Sequence, residues 1–167
     1  RDFLKLIDLL EDHQTVSNEV LYKRLWGAYQ YSKDHHQGQL RKSGRPYFEH
    51  CVAVAELLAE WHMDLNTIIG GILHDCIEDT NSTFEEIERE FGEEVAQLVD
   101  GVTKLGGVHL GSRRDQQADN LMKMFLSMAK DLRVIIIKFA DRLHNMRTLE
   151  YLPIIKQHRI AVETRDV

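Results

Sequence analysis

The chain has 167 residues, 43% of them apolar, and its 21 basic and 27 acidic residues leave a formal charge of −6. That length suits one domain rather than two, and that apolar fraction fills a core without disulfides or a structural metal. A disordered tail is excluded, and the lack of a basic excess speaks against a duplex-binding module.

The charge is uneven. Between Asp75 and Asp100, ten acids and one base (Arg89) carry −9, so the remainder of the chain is +3 and can still meet a small polyanion. Cys51 and Cys76 are the two cysteines. Both sit in apolar helical patterns without CxxC spacing, which suits a reducing compartment. No apolar run is long enough to span a membrane, and no signal peptide leads the sequence. The chain opens on Arg1 and stops at Val167 inside a helical pattern. It is therefore expected to be a piece of a longer cytoplasmic protein, with residues 1–167 forming a single domain.

In chain order, Leu21, Leu25, Ala28, Tyr29 and Ser32 recur at helical spacing, with Gly38 as a stop. Leu40–Pro46 (LRKSGRP) reads as a basic loop. Val52, Val54, Ala55, Leu58 and Ala59 mark a second helix ending near Met63. Asp64 caps a third through Ile68, Ile69, Ile72 and Leu73. Thr83 and Glu86 have capping-box spacing, and Gly92 closes the short helix they open. Val95, Leu98, Val99 and Val102 mark another helix. Gly106–Asp115 reads as a mobile loop, and helices are expected over Gln116–Ala129 and Leu132–Leu149, the latter capped by Asp131. Val134–Ile137 is strand-like in composition. Its continuation through Phe139, Ala140, Leu143 and Met146 favours a buried helix. The expected class is all-α.

Chemistry concentrates at His74-Asp75 and Glu78-Asp79 (HDCIED). On one helix these pairs are i,i+4 neighbours, which puts an imidazole and three carboxylates on one face. Such a group desolvates badly unless a cation or water absorbs it, although a solvated acidic face is the plainer alternative. Asp141 interrupts the most apolar helix and needs a charged partner, with Lys138 and Arg142 as candidates. His50 alone would more often be a half-buried core histidine. Together, His50, His74, Asp75 and Asp141 offer a mixed nitrogen–oxygen set suited to Mn²⁺, Fe²⁺, Co²⁺ or Zn²⁺.

The order His50, His74-Asp75, Asp141 resembles the H…HD…D pattern of the HD superfamily of metal-dependent phosphohydrolases, whose fold is an all-α helical bundle. The strings RKSGRPYFEH (41–50), GGILHDCIEDT (70–80), LVDGVTKL (98–105) and KFADRLHNMRTL (138–149) are similar to the hydrolase domain of RelA/SpoT-type (p)ppGpp synthetase/hydrolases. The likeness begins near Leu21. It implies Mn²⁺ on His50, His74, Asp75 and Asp141, and a catalytic acidic pair in Glu78 and Asp79. It places the guanine nucleotide (ppGpp or pppGpp) on Arg41, Lys42, Ser43, Asn145 and Thr148, with Tyr47 beside them. Synthetase-only relatives have lost the metal and acidic-pair pattern, so its presence implies a working hydrolase.

The implied reaction is water attack at the 3′-linked phosphorus, releasing pyrophosphate. The implied partners are this nucleotide and the synthetase and regulatory domains of a longer chain, with neither nucleic acid nor membrane. Two alternatives share the motif: hydrolysis of another nucleotide, and a silent nucleotide-binding regulatory domain. The stretch 151–161 departs from the family pattern, and no site is assigned there.

Overall fold

The computed structural model describes residues 2–11, 18–106 and 131–165. Helix α1 spans Asp2–Glu11, α2 Asn18–His35, α3 Phe48–Glu60, α4 Leu65–Leu73 and α5 Cys76–Asp79. They are followed by α6 at Phe84–Phe91, α7 at Glu93–Gly106, α8 at Arg133–Arg147 and α9 at Ile154–Arg165. A 3₁₀ turn, Leu149–Tyr151, links the last two. Among the described residues there is no strand ladder, only an isolated bridge between Leu40 and Pro46. The all-α expectation holds, and Val134–Ile137 is helical.

Helix α4 is the axis of the bundle. Its sequence, LNTIIGGIL, is apolar almost all round, so it must be covered on every side. It packs against α2, α3, α7 and α8, and Ile68, Ile69, Ile72 and Leu73 are fully buried. Gly71 permits this closeness, because a Cβ there would overlap Leu58 of α3, itself fully buried. Gly71→Val is therefore expected to cost about 3 kcal/mol through overpacking. Denaturant unfolding would measure it, and an unchanged midpoint would contradict the packing argument.

Capping fixes where α4 begins. Asp64 accepts from the Thr67 backbone N–H at 3.1 Å and from the Thr67 hydroxyl at 2.6 Å. Arg133, the first residue of α8, donates to Glu94 at 2.6 Å and to Asp131 at 2.6 Å, and lies 3.4 Å from Asp64. This fork ties the starts of α4, α7 and α8 together. Thr83 and Glu86 form the expected capping box, and Asp131 accepts from the Arg133 backbone N–H at the start of α8.

Helix α1 was not anticipated from the sequence. It buries Leu6, Ile7 and Leu10 and sets Phe3 edge-on to Trp26 and Tyr29. The helix expected over Gln116–Ala129 lies outside the described residues. So does the loop expected over Gly106–Asp115, apart from Gly106, which closes α7. No described helix is long and apolar enough to cross a membrane.

Candidate metal centre and adjoining cleft

The chain turns between α4 and α5, and this corrects the sequence picture of one continuous helical face. His74 and Asp75 occupy the turn, with Asp75 at φ −97°, ψ −1°. Adjacent residues of a regular helix diverge by about 100°, yet His74 Nε2 and Asp75 Oδ2 lie 3.0 Å apart. Here both point inward, 0% and 8% exposed. Glu78 and Asp79, on α5, remain exposed.

His50 arrives from the first turn of α3 and Asp141 from the middle of α8, 1% and 6% exposed. The His50 Nε2 atom lies 3.2 Å from Asp141 Oδ1 and 3.7 Å from Asp75 Oδ2. His74 Nε2 lies 3.0 Å from Asp75 Oδ2 and 3.9 Å from Asp141 Oδ1. All four predicted ligands thus converge on one buried point.

The His74 ring shows what this point can take. In the neutral ring Nδ1–H donates to the Gly71 carbonyl at 2.8 Å, which leaves Nε2 as a lone pair. Nε2 is buried without a hydrogen-bond partner and faces a carboxylate oxygen, an arrangement that repels unless positive charge sits between them. Burial pulls the His74 pKa down, but Asp75 and Asp141 outweigh it and raise it to about 9, so that without a cation a proton on Nε2 supplies this charge. Burial likewise opposes ionisation of Asp75 and Asp141, yet the two imidazoles, with Lys138 beside Asp141, hold both well below the usual carboxylate range. Two carboxylates and two imidazoles around an orphaned nitrogen fit a divalent cation.

Asp141 does have a cationic partner, as its sequence context required: Lys138 Nζ at 2.9 Å. The structure adds His144, which sequence reasoning passed over. Its Nδ1 lies 2.7 Å from His50 Nδ1, and burial together with His50 and Arg41 lowers its pKa to about 4. The available signal was its helical spacing from Asp141. Tyr47 donates to Asp75 Oδ2 at 2.7 Å, and burial, then Asp75, pushes its phenol up.

The basic loop is an ordered turn. Gly44 N–H donates to the Arg41 carbonyl, and Arg41 N–H to that of Arg45, each at 2.9 Å. Gly44 sits at φ +80°, a conformation that favours glycine. Arg41 donates to Asn145 Oδ1 at 2.7 Å, and Asn145 donates to Asp141 Oδ1 at 2.6 Å. A polar chain thus runs from the turn into the centre. A cleft of about 280 Å³ is lined by Arg41, Lys42, Ser43, Tyr47, Asn145 and Thr148, which are all six residues expected to hold nucleotide. Leu40 and, from the stretch where the sequence reading assigned nothing, Tyr151, Leu152 and Ile160 complete its wall. A second cleft of about 340 Å³ brings in His50, His144 and Arg147.

Glu78 and Asp79 line neither cleft. Burial raises the Glu78 pKa against the opposing pull of Lys138, with Asp75, Asp79 and Asp141 adding to the rise.

Residues 28–167 match the family described as the HD domain, and the chain belongs to that family. Within it, the chain is similar to the bifunctional (p)ppGpp synthase/hydrolase SpoT of Escherichia coli strain K12, 48% identical over 154 residues, 92% of this chain and 22% of that protein. A Myxococcus xanthus GTP pyrophosphokinase is 53% identical over 143 residues, 84% of this chain and 19% of the relative. The chain therefore spans about a fifth of the length of these relatives. A solved structure of a metazoan ortholog of SpoT, described as hydrolysing ppGpp, aligns with TM-score 0.69 at 27% identity, covering 86% of this chain and 83% of that one.

Proposed function

We propose that residues 1–167 form one HD-type hydrolase domain that converts ppGpp and pppGpp to GDP and GTP by removing the 3′-pyrophosphate. The observation that carries this reading is the buried quartet His50, His74, Asp75 and Asp141, connected through Asn145 to a basic cleft. A relative of the same size and fold described as hydrolysing ppGpp supports it, as do relatives named guanosine-3′,5′-bis(diphosphate) 3′-pyrophosphohydrolase. The quartet would hold Mn²⁺, which when bound activates water and polarises a phosphoryl oxygen.

The chain's own residues do the rest. Arg41, Lys42 and Ser43 supply donors for the phosphates, while Tyr47, Asn145 and Thr148 meet the nucleoside. Glu78 and Asp79 accept and deliver protons at the mouth of the centre. Burial makes Glu78 a stronger base than a solvated carboxylate. Water oxygen bonds to the 3′-linked phosphorus, the bond from that phosphorus to O3′ breaks, and the water proton passes to O3′. Partners in this reading are the nucleotide and, in a longer cytoplasmic chain, synthetase and regulatory domains, with neither nucleic acid nor membrane.

Incubation with Mn²⁺ and ppGpp is expected to yield GDP and pyrophosphate in equal amounts. Release of orthophosphate from other nucleotides in preference would sink the substrate assignment. Lys42→Ala, which removes an exposed ammonium from the cleft, is expected to raise KM about tenfold with kcat within about twofold.

A further inference from the structure

Cys51 follows His50 on α3 and is fully buried. Its Sγ, a ring nitrogen of His74 and a carboxylate oxygen of Asp75 lie within 4.8 Å of one another, as do donor atoms of His50, His74 and Asp141. His74 is common to both groups, and its Nε2 is the buried nitrogen without a hydrogen-bond partner. The His74 ring therefore has an imidazole and a carboxylate in one set and a thiol and a carboxylate in the other.

Packing alone does not call for sulfur at this position. Cys51 belongs to a small cluster with Phe48 and Val52, against Tyr29 and Tyr47, and an alanine or valine satisfies such contacts. Cys76, the other buried thiol, lies instead against His36 Nε2 at 3.8 Å and belongs to neither set.

We propose that Cys51, His74 and Asp75 form a second coordination set that takes a soft, thiophilic divalent ion such as Zn²⁺ or Cd²⁺ in place of the harder ion. The idea rests on the metal-centre reading above and adds a ligand to it. Thiolate sulfur selects soft ions, whereas the imidazole–carboxylate quartet also suits Mn²⁺. Donor atoms around tetrahedral zinc lie roughly 3.3–3.7 Å apart, so closing this set takes side-chain movements on the order of 1 Å. Sulfur bonds to the ion as the thiol proton leaves to solvent, and water completes the tetrahedron. Because both sets use His74, the two ions exclude each other. A thiophilic ion then occupies the centre without His50 and Asp141 and blocks hydrolysis.

Cadmium is the probe, because sulfur-to-cadmium charge transfer absorbs in the ultraviolet. Titration of the chelator-stripped chain with Cd²⁺ is expected to give a band saturating at one ion per chain. Cd²⁺ added to the chain reloaded with Mn²⁺ should release Mn²⁺ one for one, read by electron paramagnetic resonance. Cys51→Ser and Cys51→Ala are expected to lose the band and bind Cd²⁺ at least about tenfold more weakly. Their Mn²⁺ affinity should stay within about twofold, which also shows that they fold. Cys76→Ala should keep the band. A band that survives both Cys51 substitutions overturns the proposal. So does its absence from the unaltered chain while Mn²⁺ binds, and in that case the Mn²⁺ reading stands. A Cys51-dependent band in a chain that binds no Mn²⁺ supports the cysteine set and overturns the Mn²⁺ reading.

Discussion

His74→Ala is expected to abolish divalent-ion binding and to lower ppGpp hydrolysis about a thousandfold or more. The ring is fully buried, anchored through Nδ1 on Gly71, and its Nε2 is the orphaned nitrogen around which the carboxylates gather. A metal ion contributes several kcal/mol to stabilising phosphoryl transition-state charge, and about 4 kcal/mol corresponds to a thousandfold in rate. Removing the imidazole also strips positive charge from Asp75 and Asp141, which are held ionised in a buried setting by their neighbours. His74→Gln fills more of the space without restoring the same nitrogen and should behave alike. Calorimetric titration with Mn²⁺ and quantitation of GDP check both variants, with helical circular dichroism as the test of folding. Turnover within tenfold of the unaltered chain would remove His74 from the centre.

The acidic pair should give a different signature. Glu78→Gln and Asp79→Asn are each expected to lower kcat by about 10²–10⁴, the usual range for loss of a positioned proton carrier. Mn²⁺ affinity should be retained, because neither carboxylate belongs to the buried quartet. Both side chains are exposed, so neither substitution burdens the fold. If the two act as a unit, the double variant loses little more than the worse single one. Steady-state kinetics beside Mn²⁺ titration decide the matter. A kcat within threefold of the unaltered value in both single variants would mean that α5 carries only surface charge.

Much of the centre was legible because its residues are out of place. An aspartate inside IIIKFADRL and a His-Asp pair closing GGIL violate the rule that apolar helices bury apolar side chains, and such violations need a compensating charge. The six residues expected to hold nucleotide rested on family resemblance, and the fold sets all of them around one cleft. His144 and the wall formed by Tyr151, Leu152 and Ile160 were not legible. An imidazole on a mixed helix and apolar residues on either side of Pro153 look ordinary until the fold brings them beside the basic turn.

The sequence by itself determined the all-α class and the starts of α4, α6 and α8, and it marked His74, Asp75 and Asp141 as misplaced polar groups, because periodicity, capping and polarity are local signals. His50 came from the family resemblance. The sequence placed His74, Asp75, Glu78 and Asp79 on one face, and there the tertiary structure decided otherwise. A turn at His74-Asp75 sends two groups inward and leaves two outside. The burial of α4 on all sides fixes that turn against α3 and α8, where His50 and Asp141 wait. Direction and depth are properties of packing between distant segments, and no local pattern encodes them.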